Sequence, residues 1–215
     1  GSGREPVRIV DMSWYEAIVL GVLQGITEFL PVSSSAHIFV FSQFFGWTDP
    51  GAAFTAVSQI GTELAVIVYF WRDITQIVST WSRSLGNAAL RKELDARMGW
   101  YVIVGTIPVA ALGFLFADQI ETTARNLYLV AFTLIFFGVL LGIADRYGRK
   151  IKSIEKLKLP DAVAFGLGQA LALIPGVSRS GATITTGLAL GYNRVAATRY
   201  AFLLAIPAVL GSGLY

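Results

Sequence analysis

The chain has 215 residues, of which 54% are hydrophobic and 14% charged, with a formal net charge of +3 and a mean hydropathy of +0.62. Soluble domains carry about 25% charged residues, so this composition excludes an ordinary soluble domain and points to an integral membrane protein. The small positive charge is confined to the segments between apolar stretches, which argues against nucleic-acid binding. The absence of cysteine removes thiol catalysis, Cys-rich metal sites and disulfides together.

Residues 1–12 read as a cloning scar (Gly1-Ser2-Gly3) followed by a short tail. Trp14 to Leu30 is apolar apart from Glu16, Gln24, Thr27 and Glu28, and Pro31 stops it after about 25 Å at 1.5 Å per residue. Ser33 to Phe45 is shorter still and ends at the turn Gly46 to Gly51. A bilayer core needs roughly 20 helical residues, so 13–45 is predicted to be a helical hairpin that enters, breaks at Pro31 and returns. Full spans are predicted over 52–71, 98–117 and 126–144, with polar, basic loops at 72–97 and 145–160 and a short acidic connection at 118–125. A second broken hairpin, 160–190, turns about Pro175 and is followed by a last span, 196–215. The chain stops at Tyr215 without a polar cap, which reads as an early end to the second half.

The two hairpins align at a constant offset. Ala17 pairs with Ala162, Gly21 with Gly166, Gln24 with Gln169, Val32 with Val177, Ser33 with Ser178 and Ser35 with Ser180. That is an internal repeat, with 13–144 as the first copy and 160–215 as an incomplete second. Five basic residues lie in 72–97 and six in 145–160, against one in 118–125 and none in 46–51, so the two basic loops face the cytoplasm. The first hairpin then opens from the outside and the second from the cytoplasm, with their tips meeting near mid-membrane. The expected fold is all-α and polytopic, an inverted-topology repeat with two re-entrant hairpins whose half-helix N-termini face an anion.

The polar residues concentrate at those tips. The stretch Gln24-Gly-Ile-Thr-Glu-Phe-Leu-Pro-Val-Ser-Ser-Ser-Ala-His37 sets a carboxylate, three hydroxyls and the only histidine about one proline. An ionisable group in hydrocarbon costs at least about 2.5 kcal/mol, so Glu28 needs a partner, a metal or a wet cavity. Gln24 and Glu28, four residues apart, share a helix face, and Gln24 is expected to contact phosphate there. Ser33, Ser34 and Ser35 at a helix start form an anion site from backbone N–H groups and hydroxyls. Ser178, Ser180, Gly181 and Thr183 repeat that site, and Arg179 adds a fork suited to two phosphate oxygens. Glu28, with Glu63 as a second candidate, suits Mg²⁺, and the whole set describes a diphosphate pocket. His37 lies one helical turn beyond Ser33 and Ser34, within reach of either. The competing readings are a structural ion pair of Arg179 with Glu28 or Glu63, and close helix packing for the glycine pairs Gly21/Gly25, Gly138/Gly142 and Gly187/Gly191.

At these residues the chain resembles the undecaprenyl-pyrophosphate phosphatases of the BacA type, through Glu28-Phe-Leu-Pro-Val-Ser-Ser34 and Pro175-Gly-Val-Ser-Arg-Ser-Gly-Ala-Thr183, with likeness extending over Tyr15 to Tyr215. The resemblance implies an enzyme of the bacterial plasma membrane that hydrolyses a C55 lipid diphosphate to the monophosphate and phosphate, recycling the carrier for peptidoglycan. It implies Ser34 as nucleophile and His37 as its proton acceptor, with Glu28 and Arg179 as partners in catalysis. A water molecule, or His37 itself, remains an alternative nucleophile. It also implies a divalent cation, Mg²⁺ with Ca²⁺ as the alternative, and an active site facing the outer side. Expected partners are the polyprenyl diphosphate and membrane lipids, with a homodimer left open. Gln24 stands at the family's first acidic position and is a poor metal ligand for that reason. Many members carry Thr-Gly where this chain has Ser35-Ala36, and members continue for two further membrane helices. Inverted repeats with broken helices also mark secondary transporters, so a lipid-phosphate carrier is the rival function.

Overall fold

A computed structural model describes residues 12–116 and 127–212; the expected cloning scar, the acidic connection and the last three residues lie outside them. Nine α-helices and no strand occur among the described residues. In chain order they are α1 (Trp14–Phe29), α2 (Ser34–Phe44), α3 (Gly51–Tyr69), α4 (Trp71–Gly86), α5 (Leu94–Leu115), α6 (Leu127–Tyr147), α7 (Leu159–Ala170), α8 (Arg179–Ala189) and α9 (Arg194–Ser212).

Local chemistry sets the hairpin ends. Ser13 and Glu16 form a reciprocal capping box at the start of α1, with Ser13 Oγ accepting from the Glu16 amide and Glu16 Oε2 from the Ser13 amide. The helix stops at Leu30, which turns extended because the residue before a proline is disfavoured in the α region. Pro160 occupies the first turn of α7, where a missing N–H costs nothing. At the second tip Gly176 takes φ +85°, and the Thr133 hydroxyl of α6 donates to the Pro175 carbonyl at 2.7 Å. A side chain at Gly176 would meet Thr133 Oγ1 at 2.4 Å, so only glycine allows α6 this close.

Helices α5, α6 and α9 are each long and apolar enough to cross a membrane, and α3 with α4 passes as a pair bent by 72°. The chain is a multi-pass membrane protein. With α3 and α4 counted as one broken span, up to four segments among the described residues are long and apolar enough to cross. Residues 71–86 correct the expected polar loop: they form a helix, α4, not a coil. Ile74, Ile77, Val78, Trp81 and Leu85 recur at helical spacing, and the face bearing Ile77 and Ser84 is buried. Trp81 and Trp100 meet edge to face at 5.6 Å, and a side chain at Gly99 would strike Trp81 at 2.6 Å.

The core sits around α5, α7, α8 and α9. Phe165, Leu188, Tyr192, Tyr200 and Leu204 are all but fully buried there, and Phe165 packs edge to face on Tyr200 at 4.9 Å. Helices α5 and α7 cross so closely that a Cβ on Gly166 would lie 2.2 Å from the Gly105 carbonyl oxygen. Gly187 likewise abuts Phe165 and Ala197. The packing expected of Gly21, Gly25, Gly138 and Gly142 is not found: nothing lies within 4 Å of where their Cβ atoms would be. At the basic face Arg194 grips Asp145 through two bonds of 2.6 and 2.7 Å, and Arg199 reaches Asp73 at 2.6 Å. These two pairs tie α9 to α6 and α4. Beside them the Tyr192 hydroxyl donates to Asp161 at 2.6 Å, and burial pushes its pKa well above the usual phenol range.

Candidate active site

The two tips touch. A side chain at Gly181, in the first turn of α8, would come within 3.2 Å of the Pro31 carbonyl oxygen, and the Ser180 hydroxyl donates to the Leu30 carbonyl at 3.4 Å. Across this junction Arg179 Nη2 donates to Glu28 Oε1 at 2.7 Å and lies 3.7 Å from Glu63 Oε2. The Glu28 and Glu63 side chains are only 9% and 4% exposed. Two buried carboxylates thus share one guanidinium. Both contacts run through Nη2, leaving the other guanidinium nitrogens for a ligand.

The second oxygen of Glu28 organises the serine tip. Glu28 Oε2 accepts from Ser34 Oγ at 2.5 Å and from Gln24 Nε2 at 2.9 Å. The first distance is that of a charge-assisted O–H···O⁻ bond. It also sets a hydroxyl against a carboxylate able to take its proton, the arrangement an oxygen nucleophile requires. The sequence assigned this contact to His37. In the structure His37 is exposed, and its Nδ1 lies 2.9 Å from the Ser33 carbonyl. A carbonyl only accepts, so Nδ1 carries the proton and Nε2 faces outward from that bond as the free nitrogen. The helix explains the difference: residues 33 and 37 stand one turn apart, so the ring stacks back on the turn that precedes it.

A cavity of about 190 Å³ lies between the tips, lined by Ser33, Ser34, Ser35 and Glu28 from the first hairpin and Ser178, Arg179 and Ser180 from the second. The serines form matching pairs, Ser33 with Ser35 at 3.4 Å and Ser178 with Ser180 at 3.2 Å between hydroxyl oxygens. Three residues expected to contact phosphate do not line this cavity. Gln24 is fully buried behind Glu28. The Gly181 amide is taken by the Ser178 hydroxyl, and glycine serves there for the close approach of the tips. Thr183 turns its hydroxyl back to the Arg179 carbonyl at 2.7 Å, which pins the backbone that carries the guanidinium. Conversely Thr27, Gln59 and Gln169 line the cavity although no site role was assigned to them. Two signals pointed to the glutamines: Gln59 precedes Glu63 by one helical turn, and Gln169 is the repeat partner of Gln24.

The cavity lies far along α5 and α9 from the helix ends that carry the basic residues. Its wall includes Val109 and Ala208, each about 21 Å along α5 and α9 from the basic face at 1.5 Å per residue. Beyond the ion cluster, toward the basic face, runs a separate apolar groove of about 720 Å³ that includes Phe29, Val66, Tyr69, Arg199 and Phe202. Glu28, Arg179 and Glu63 stand between the two spaces.

This fold and site define an integral membrane protein with a serine–carboxylate pair and an arginine enclosed between two re-entrant hairpins. The family described as bacitracin resistance protein BacA matches residues 17–215, and the chain belongs to that family. The chain is 62% identical over 205 residues to an undecaprenyl-diphosphatase of Micrococcus luteus, covering 95% of this chain and 74% of that protein. It is 61% identical over 204 residues to the undecaprenyl-diphosphatase of Thermobifida fusca, with 95% and 70% covered. A third relative of the same name, from Streptomyces griseus, is 55% identical over 216 residues, with 95% and 74% covered.

Proposed function

We propose that this protein is a membrane hydrolase that removes the terminal phosphate of undecaprenyl diphosphate, releasing undecaprenyl phosphate and inorganic phosphate and so returning the lipid carrier to peptidoglycan synthesis. One observation carries the chemistry: the 2.5 Å bond from Ser34 Oγ to Glu28 in a cavity that also presents Arg179. Glu28 takes the Ser34 proton as Oγ attacks the terminal phosphorus. The anhydride P–O bond breaks, and Glu28 passes the proton to the departing monophosphate. Water then attacks the phosphoserine, again with Glu28 as base, and the Ser34 oxygen leaves with the returned proton. Arg179 neutralises charge on the equatorial oxygens, where phosphoryl transfer needs it most. His37 is exposed and does not line the cavity, so its role in this reading is to carry a proton to solvent rather than to be the base that touches the nucleophile.

A divalent cation fits this cluster. Glu63 Oε1 and Gln24 Oε1 are buried oxygens with no hydrogen-bond partner among the described residues, and Mg²⁺ typically uses one or two carboxylates plus waters and phosphate oxygens. Glu28 and Glu63 would hold it, and Ca²⁺ would accept the same oxygens. When bound it supplies charge neutralisation to the phosphate oxygens. Activity should therefore fall on chelation and return with Mg²⁺ or Ca²⁺.

The same geometry supports a proposed location. The cavity sits in the half away from the basic loops, so the reaction faces the outer side of the bacterial plasma membrane. Phosphate release from farnesyl or C55 diphosphate by purified protein in detergent tests the proposal, with the Micrococcus luteus relative as control. No release with Mg²⁺, Ca²⁺ or Mn²⁺, while the control turns over, would overturn it.

A second reading, lipid-phosphate transport with or without hydrolysis, draws on the apolar groove on the far side of the ion cluster. Alternating access would require Arg179 to release Glu28 while both stay largely buried, a costly step. A proton-accepting carboxylate on a serine is also surplus to carriage. Hydrolysis is the better-supported function.

A further inference from the structure

Gln169 is fully buried, lines the serine cavity from the second hairpin, and leaves Oε1 without a protein partner. Its orientation is not arbitrary. Nε2 points to the Leu204 carbonyl at 3.5 Å, and the flipped amide would set two carbonyl oxygens against each other. The atom left over is therefore an acceptor. Besides Thr27 and Gln59, the other polar cavity groups are serine hydroxyls, the Arg179 guanidinium and the Glu28 carboxylate, which together serve phosphate oxygens and one transferable proton. An acceptor-only oxygen repels phosphate and needs a donor. Gln24, the repeat partner, also has an orphan Oε1, yet it lies behind Glu28 and not on the cavity wall. Gln59 is on the wall but half-buried, with no protein bond to hold its amide.

We propose that Gln169 is the residue that positions the hydrolytic water, an inference that rests on the hydrolase reading above. A water attacking phosphoserine has two O–H bonds to place. One faces Glu28, which removes that proton as the new P–O bond forms and returns it to Ser34 Oγ as the old bond breaks. The other is accepted by Gln169 Oε1, which takes no proton and fixes the direction of the attacking lone pair. Glutamines that orient an attacking water recur in phosphoryl-transfer enzymes. The cavity of about 190 Å³ exceeds the roughly 30 Å³ that a water occupies in the liquid, so water fits beside a phosphoryl group.

The test is how the phosphoryl group divides between water and methanol during turnover of farnesyl diphosphate in detergent. Gln169→Met keeps length and removes the acceptor. It should lower kcat about tenfold or more, leave KM within about twofold, and shift the inorganic phosphate to methyl phosphate ratio at least about fivefold toward methanol, since methanol needs only one O–H placed. Gln169→Asn, which withdraws the oxygen by one methylene, should shift the ratio in the same direction and serves alone if the Met variant does not fold. A ratio equal to that of the unaltered protein in whichever variant folds would overturn the proposal, whatever happens to kcat, because a packing role would not move the partition. Failure of the unaltered chain to release any phosphate would instead sink the hydrolase reading.

Discussion

At the first tip Ser33 enters α2 with φ +66° and no side-chain cap, whereas at the second Ser178 sits at φ −67° and its hydroxyl accepts the Gly181 amide. The arms differ as well. Half of α7, six of twelve residues, is buried, against three of sixteen in α1. One repeat design therefore serves two purposes. The second hairpin satisfies its own helix start and is wedged into the core, so it holds Arg179 on a fixed support. The first leaves the opening turn of α2 uncapped and carries the carboxylate and the hydroxyl, so its free donors and its strain both lie at the reacting centre.

If the first tip holds the chemistry, the most damaging single changes are there. Ser34→Ala and Glu28→Gln should each lower phosphate release by about a thousandfold or more with little effect on KM, since nucleophile and base act as a unit. Ser180→Ala, in the second tip at the place that matches Ser35, should cost only about tenfold. Equal losses at both tips in steady-state assays would erase the division of labour.

Next in size is the bridge between them. Arg179→Lys replaces a planar fork by a point charge and should cost about a hundredfold in kcat/KM. Thermal stability in detergent should stay within a few degrees of the unaltered protein, because a lysine still places one positive charge between the two buried carboxylates. A parallel fall in Tm would show that the arginine's main task is to bind the hairpins together.

The two glycines related by the repeat give the third contrast, now in stability. Gly166→Ala drives a methyl to 2.2 Å from the Gly105 carbonyl oxygen and should destabilise by about 2–3 kcal/mol as α5 and α7 part. Gly21→Ala meets nothing within 4 Å and gains helix propensity, so it should be neutral or stabilising by up to about 1 kcal/mol. Detergent unfolding curves of the two variants measure the difference directly.

Span lengths, prolines and charge counts made much of this fold legible, because a bilayer fixes how long a crossing must be and both short arms fell below that length. Residues 71–86 were misread since their arginines and serines mask an apolar stripe, Ile74, Ile77, Val78, Trp81 and Leu85, at helical spacing. At the site, Ser33, Ser34, Ser35, Glu28, Ser178, Arg179 and Ser180 come together as sequence order suggested. The carboxylate beside Ser34 was out of reach of that reasoning. His37 is three positions away along the chain, but Glu28, six away, folds back across the break at Pro31 to make the contact. Spacing rules within a helix say nothing about residues on opposite sides of a turn. Gln169 was hidden by a different cause: its partner in the repeat drew attention for being next to a carboxylate, and the cavity lies against the other copy.

The smallest expected effect probes the strain itself. A serine held at φ +66° costs about 1 kcal/mol or more relative to glycine, which adopts that conformation freely, so Ser33→Gly should raise stability by about 0.5–1 kcal/mol. Ser178→Ala, at the equivalent position, removes the side-chain cap on Gly181 and should lower it by about 1 kcal/mol. The same two substitutions should not split activity in the same way. Ser33→Gly deletes one hydroxyl from the cavity wall and frees the backbone that aims Ser34 at Glu28, so kcat should drop about tenfold while the protein becomes more stable. Ser178→Ala deletes the matching hydroxyl but leaves Ser34 and Glu28 undisturbed, and kcat should change by no more than about threefold. Stability gained together with activity lost at Ser33 would mark its backbone as strained for function. A Ser33→Gly protein that is both more stable and fully active would mean that the positive φ is an incidental feature of the turn after Pro31, and that Ser34 is aimed by its bond to Glu28 alone.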